Sequence, residues 1–227
     1  QSIFSKELIS KFEGIGKFAN EQLSFNNSYG NTIIPFTTKS IHNDDLEIYK
    51  EGFYYGISAK FEHILANLDV YRNDKLEAIN EAFKTDNIVF VHGASGQGKS
   101  TLAYRYINDF TPNSTSYELK ISQDINEVYQ TINSLDALSR GLDFPILLYI
   151  DIKPQDIYWN EILKELYGRK NLRFLITIRQ EDWNKTTLGF DFKFTDIDLS
   201  FDKSEAKVIY DSLLKFKEDL KFIDFEE

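Results

Sequence analysis

The chain has 227 residues, with 36 Asp and Glu against 26 Lys and Arg, for a formal net charge of −10. Domains take ~100–200 residues, so the length suggests one full domain and a smaller companion; 42% apolar and 15% aromatic content supports a real core and excludes wholesale disorder. The acidity excludes a general nucleic-acid coat or a binder of anionic membranes, since both need a basic face.

Residues 5–23 read as a helix, with Leu8, Phe12, Ile15, Phe18 and Ala19 at helical spacing, although Gly14 and Gly16 weaken it. Residues 26–31 are turn-forming, and 32–52 give no clear pattern. Ile57, Phe61, Ile64, Leu65 and Leu68 mark a second amphipathic helix; Leu76, Ile79 and Phe83 mark a third. From residue 87 strands and helices alternate. Residues 88–91 form a short, wholly apolar strand of the kind buried on both faces of a parallel sheet. The helix after it turns Leu102, Ala103, Tyr106, Ile107 and Phe110 inward. Residues 117–121 form a second strand, 125–139 a helix with Val128, Ile132 and Leu135 on its stripe, and 146–150 a third strand. A helix over 156–167 buries Ile162, Leu163, Leu166 and Tyr167. Residues 174–178 form a fourth strand and 194–199 an acidic fifth. The last helix, about 203–221, carries Ala206, Ile209, Leu213, Phe216 and Leu220. This alternation predicts an α/β fold with a central parallel sheet, right-handed crossovers and helices on both faces.

There is no Cys, so disulfide scaffolds, thiolate zinc sites and thiol nucleophiles are excluded. His42, His63 and His92 are far apart in sequence and lack metal-ligand spacing. No apolar run approaches the ~20 residues of a membrane span. The N-terminus lacks a signal-peptide layout, so the expected compartment is the cytosol. The chain has no Met, even at position 1, which points to a fragment of a longer protein.

The strongest motif is Gly93-Ala94-Ser95-Gly96-Gln97-Gly98-Lys99-Ser100, which fits the phosphate-loop pattern in full between an apolar strand and an amphipathic helix. Gly93, Gly96 and Gly98 allow a tight turn that points successive N–H groups, those of Ser95 and Gln97 included, at phosphate oxygens. The following helix adds its N-terminal dipole. Lys99 supplies a cation for the β- and γ-phosphates, Ser100 a hydroxyl for Mg²⁺, and Thr101 flanks the α-phosphate. The apolar strand 146–150 ends in Asp151, a second metal-binding candidate of the Walker B form. The residues after it are Ile152, Lys153 and Pro154, so the usual water-polarising acid is missing; Asp156, Glu181 and Asp182 are the substitutes within reach in sequence. Slow hydrolysis is expected. The strand 174–178 ends in Thr177-Ile178-Arg179 and would face a γ-phosphate crevice, where Arg179 can contact that phosphate with a bidentate geometry. The bland alternative is a surface Arg paired with Glu181 or Asp182.

Together these motifs resemble the STAND class of P-loop NTPases, the signalling ATPases related to NOD-like receptors, over about residues 70–215. VHGASGQGKSTLAYRYI is similar to their P-loop and first helix, PILLYID to their Walker B strand, and RFLITIRQEDW to their sensor strand. Val70-Tyr71-Arg72 is similar to the Arg-containing segment that borders adenine and phosphates, and DIDLSFDKSEAKVIYDSL to the start of a helical lid. The resemblance implies a P-loop NTPase three-layer sandwich at 69–200, a helical segment or effector linker at 1–68, and the start of the lid at 201–227. It further implies ATP and Mg²⁺ as cofactors, Arg72 at the nucleotide, and homo-oligomerisation that activates an effector, often in antiviral defence. The trigger would be sensed by a region outside this chain. The Gly-x-Pro segment of such lids is not found. A small-molecule kinase would need an Arg-rich lid, but Arg140, Arg169 and Arg173 are scattered; a DNA-dependent motor would favour a catalytic Glu and a basic face. Asn184-Lys185-Thr186-Thr187 fails the guanine-reading pattern at its acid, so adenine is the expected base.

Overall fold

The computed structural model describes residues 28–37, 41–111, 115–121, 124–142, 145–156, 158–186, 192–200 and 202–216. The expected helix at 5–23 lies outside them. The elements run β1 (Ile33–Pro35), α1 (Asn43–Tyr54), α2 (Phe61–Leu65), α3 (Asn73–Thr85), β2 (Ile88–Gly93), α4 (Lys99–Phe110), β3 (Ser116–Leu119), α5 (Ile125–Leu142), β4 (Ile146–Asp151), α6 (Trp159–Leu166), β5 (Leu172–Arg179), α7 (Gln180–Thr186), β6 (Thr195–Asp198) and α8 (Lys203–Phe216).

One six-stranded sheet holds the fold, in the order β1-β3-β4-β5-β2-β6. All pairings are parallel except that of β1 with β3. Every residue of β2 is buried, as a strand covered by helices on both faces requires. Alternation along β2 divides its side chains between two cores. Ile88 and Phe90 join Leu148, Phe174 and Ile176 beneath α5 and α6. Val89 and Val91 join Leu147, Tyr149 and Leu175 beneath α3 and α4. Each fully buried aliphatic or Phe side chain contributes ~1.5–3 kcal/mol, so the two layers stabilise the sheet from both sides.

The strand–helix alternation expected from residue 87 onward is present in order. Several details differ. The helix expected around 57–68 is only the short α2, and 32–52 holds β1 and most of α1. Phe110 is not inward: it is 37% exposed and stacks on Tyr106, 5.0 Å between ring centroids. Tyr167 is 46% exposed, one residue past the end of α6, and its ring meets Phe192 at 5.7 Å. Both aromatics sit at helix ends, where the chain turns away from the sheet.

Beside the sheet, α1 rests on α2 through His63, which is fully buried against Phe53 (5.2 Å between rings) and Tyr49 (6.1 Å). Its Nδ1 accepts the Lys60 N–H at 3.2 Å, and Nε2 has no partner among the described residues. Burial, and next the nearby Lys60, lower its pKa. The folded state therefore keeps His63 neutral, while the unfolded chain takes up a proton near the ordinary His value of ~6.5. Stability from this site is complete above that value and falls as pH drops through the depressed one. His63→Phe is expected to flatten the melting-temperature profile between pH 7 and 5, relative to wild type. Parallel profiles for the two proteins would refute this.

Candidate functional site

Three strands end side by side. β5 lies between β2 and β4, and the register pairs Gly93 with Arg179 and Thr177 with Asp151. The carboxylate of Asp151 is thus one strand removed from the phosphate-loop strand, not on its immediate neighbour as the sequence reading assumed. The loop from Gly93 to Lys99 leaves β2 and opens α4. Gly98 caps α4 in the left-handed conformation at φ 79°, and Gly96 holds φ 84°. A Cβ on Gly93 would lie 2.5 Å from the Leu199 carbonyl oxygen, so only glycine lets the loop pass under the chain after β6. The first N–H groups of α4 have no carbonyl before them in the helix, which makes this turn a cradle for an anion.

The Lys99 ammonium donates to the Gly93 carbonyl at 2.9 Å and the Ala94 carbonyl at 2.8 Å. Burial lowers its pKa; Asp151 opposes this and Arg179 adds to it. Arg72 is 7% exposed. Its Nη1 donates to the Gln97 carbonyl at 3.0 Å, and its Nε lies 3.2 Å from Glu205 Oε1. Burial lowers the Arg72 pKa, with Glu205 pulling it back. Glu205 belongs to the first turn of α8. Its Oε2 accepts the Asp202 N–H at 3.4 Å while Asp202 Oδ1 accepts the Glu205 N–H at 2.8 Å, a reciprocal cap. One arginine therefore ties the phosphate loop to α8.

These groups surround a cavity of about 740 Å³, lined by Ser95, Gly96, Gly98, Lys99, Ser100, Thr101, Arg72, Asp151 and Arg179. Gly93 and Gln97 are in the same loop, though not in the lining. The sequence-predicted residues are thus brought together. Residues the sequence reading missed complete the wall: Phe53 and Tyr54 of α1, Ile57 and Ala59 of the following loop, Leu68, and Ile209 and Ser212 of α8. No motif marks them. Thr177 is the opposite case. It does not face the crevice: it is fully buried and donates to Asp151 Oδ1 at 2.7 Å. Arg179 is exposed at the cavity rim and forms no ion pair among the described residues; Asp182 pairs with Lys185 instead. Ile152 is 4% exposed in the core. Neither Asp156, Glu181 nor Asp182 lines the cavity, and Asp156 Oδ2 is taken by the Lys153 N–H at 2.8 Å. His92, beside the loop, is a structural contact: it stacks on Trp183 at 4.8 Å and bonds Gln180 and Asp196.

One hydroxyl and one carboxylate, Ser100 and Asp151, suit a hard, oxygen-preferring cation. Among the described residues no group of three or more His, Asp or Glu could hold a metal alone, so phosphate oxygens and water would complete the shell. A phosphate loop between strand and helix, with a carboxylate two strands away across an inserted strand, decides the architecture. The fold is that of a P-loop NTPase core.

No protein-family model and no curated protein matches the chain. Among solved structures it is similar to a Walker-type ATPase of Pyrococcus abyssi, at 12% identity and TM-score 0.46, over 69% of this chain and 60% of that one. It is also similar to PCH-2 of C. elegans, at 16% identity and TM-score 0.44, over 74% and 54%. A third is a signal transduction ATPase with numerous domains, a STAND protein with a tetratricopeptide repeat sensor from Pyrococcus horikoshii, at 21% identity and TM-score 0.40, over 70% and 26%. The chain spans less than two thirds of the length of each. No helix among the described residues is long and apolar enough to cross a membrane.

Proposed function

We propose that this chain is the ATP-binding switch domain of a STAND-type signalling protein, of the kind that serves antiviral defence. Nucleotide binding drives homo-oligomerisation and effector activation, hydrolysis is slow, and the trigger is sensed outside this chain. The observation that carries the reading is the double contact of Arg72, which holds the Gln97 carbonyl of the phosphate loop and Glu205 of α8 at once. A residue shared by the phosphate site and a lid helix lets bound phosphate bias the position of that helix.

In this reading the loop N–H groups and Lys99 hold the β- and γ-phosphates, Thr101 lies by the α-phosphate, and Ser100 and Asp151 hold Mg²⁺, Asp151 through water. The apolar wall of Ile57, Ala59, Leu68 and Ile209 suits the face of adenine. With Ile152 buried where many such ATPases carry an acid, no side chain there polarises the attacking water, which favours holding ATP over turning it over. Arg179 reads the γ-phosphate from the rim.

A charge-assisted contact present with ATP and lost with ADP, at ~1.5–3 kcal/mol, shifts a two-state equilibrium roughly tenfold to a hundredfold. Arg179→Ala in the full-length protein is therefore expected to keep nucleotide binding and lose ATP-dependent assembly. The measurement is oligomer mass with a non-hydrolysable ATP analogue. A mutant that assembles as well as wild type would move the switch away from Arg179.

A further inference from the structure

Tyr149 is a polar side chain in a place where an apolar one would pack as well. It lies two residues before Asp151 on β4 and is fully buried. Its ring packs on Tyr104 at 5.2 Å and Phe36 at 6.2 Å. Its hydroxyl lies 3.0 Å from Thr177 Oγ1, and the Ser100 side chain hydrogen-bonds the same phenol. Thr177 in turn donates to Asp151 Oδ1 at 2.7 Å. The two presumptive metal-binding groups, from α4 and β4, are thereby joined through the core by two hydroxyls that never reach the cavity.

The hydrogens in this chain can run in one direction only. An ionised carboxylate accepts and cannot donate, so the single hydrogen of Thr177 goes to Asp151. The Thr177 oxygen is then the acceptor for the Tyr149 hydroxyl. With the Tyr149 hydrogen spent, its oxygen accepts from Ser100. The Ser100 hydrogen is thus turned inward, and its lone pairs are left for the cavity it lines. Asp151 has one oxygen fixed by Thr177 and keeps the other for a metal-bound water.

Resting on the nucleotide reading above, we propose that Tyr149 and Thr177 are positioning residues for the nucleotide-bound divalent cation: the one-way hydroxyl chain Ser100–Tyr149–Thr177–Asp151 aims the oxygen lone pairs of both metal-binding groups before the cation arrives. Buried groups of this kind cost little to keep ordered, since no water competes for their bonds. A Phe at position 149 preserves the ring packing and deletes the acceptor. The Ser100 hydrogen then has no inward partner and competes with the cation for the cavity side.

The test is the ratio of ATP affinities measured in Mg²⁺ and in excess EDTA. Partners that orient metal ligands are worth ~10–100-fold in metal affinity. For Tyr149→Phe the EDTA affinity is expected to stay at the wild-type value, while the Mg²⁺-to-EDTA ratio falls by ~10–100-fold. Thr177→Val is expected to lose the ratio in the same way, and Thr177→Ser, which keeps the hydroxyl, to retain it. A Tyr149→Phe protein with an undiminished ratio overturns the proposal. So does one whose two affinities fall together, because that reports packing and not metal orientation. A wild-type chain that binds no ATP in either buffer overturns the nucleotide reading itself, an outcome distinct from the other two.

Discussion

Lys99→Ala is expected to weaken ATP binding by roughly a hundredfold or more, from two charge-assisted phosphate contacts at ~1.5–3 kcal/mol each, and to leave thermal stability almost unchanged. The second half is as informative as the first. The ammonium now rests on two loop carbonyls, those of Gly93 and Ala94, and its pKa is lowered chiefly by burial. The folded chain therefore holds this charge at a cost, and removing it relieves that cost while releasing the two carbonyls. Calorimetric titration with ATP and a melting curve on the same sample make the check. Unchanged ATP affinity would end the phosphate-loop reading; a collapsed melting transition would show that Lys99 supports the fold.

Asp69→Ala is expected to produce the largest loss of stability, ~3–5 kcal/mol, as for a buried ion pair deprived of one partner. The side chains of Asp69 and Arg105 are 1% and 8% exposed. Arg105 Nη2 bonds Asp69 Oδ1, its Nε lies 3.0 Å from Oδ2, and Nη2 also reaches the Ile64 carbonyl at 3.2 Å and Asn67 Oδ1 at 3.1 Å. Without the carboxylate, the guanidinium keeps Asp109 at 3.5 Å as its remaining acid, which places the effect toward the lower end. A chain of this size loses ~2–4 °C per kcal/mol, so the melting temperature should fall by about 6–20 °C. Replacing both partners, Asp69→Leu with Arg105→Met, should recover most of it, because no charge is then left buried alone. A shift under a degree for Asp69→Ala would mean that water reaches the pair. The pair also anchors residues 64–69 to α4, three positions before Arg72, so ATP affinity should fall alongside stability.

The sheet and the loop were legible because their signals are local. The apolar runs at 88–91, 146–150 and 174–178 have no other stable home than strands covered on both faces, and the glycines of the loop stand where only glycine fits. What was not legible depends on depth and on contacts distant in sequence. Thr177 and Arg179 alternate onto the same face of β5, but Arg179 ends the strand while Thr177 is buried beside Asp151; sequence spacing places both on one side and says nothing of how far along the strand the cavity begins. Tyr149 reads in sequence as one more apolar residue, and its hydroxyl acquires meaning only when β5 and α4 close on it. The wall from Phe53 to Ala59 carries no motif, since it offers shape and apolar surface in place of reactive groups. The short β1 was missed because three residues are too few for a periodic signal, and its pairing with Ile33 opposite Leu119 is decided by β3.

The Arg72 bridge has a consequence that runs opposite to the direction of signalling. Coupling between two sites is reciprocal by thermodynamic necessity. If phosphate alters the hold of Arg72 on Glu205, then any force that draws α8 away must alter the affinity for phosphate by the same factor. A partner pulling on that helix would act as an exchange factor without touching the nucleotide, and the rate at which bound nucleotide leaves would report the load on α8.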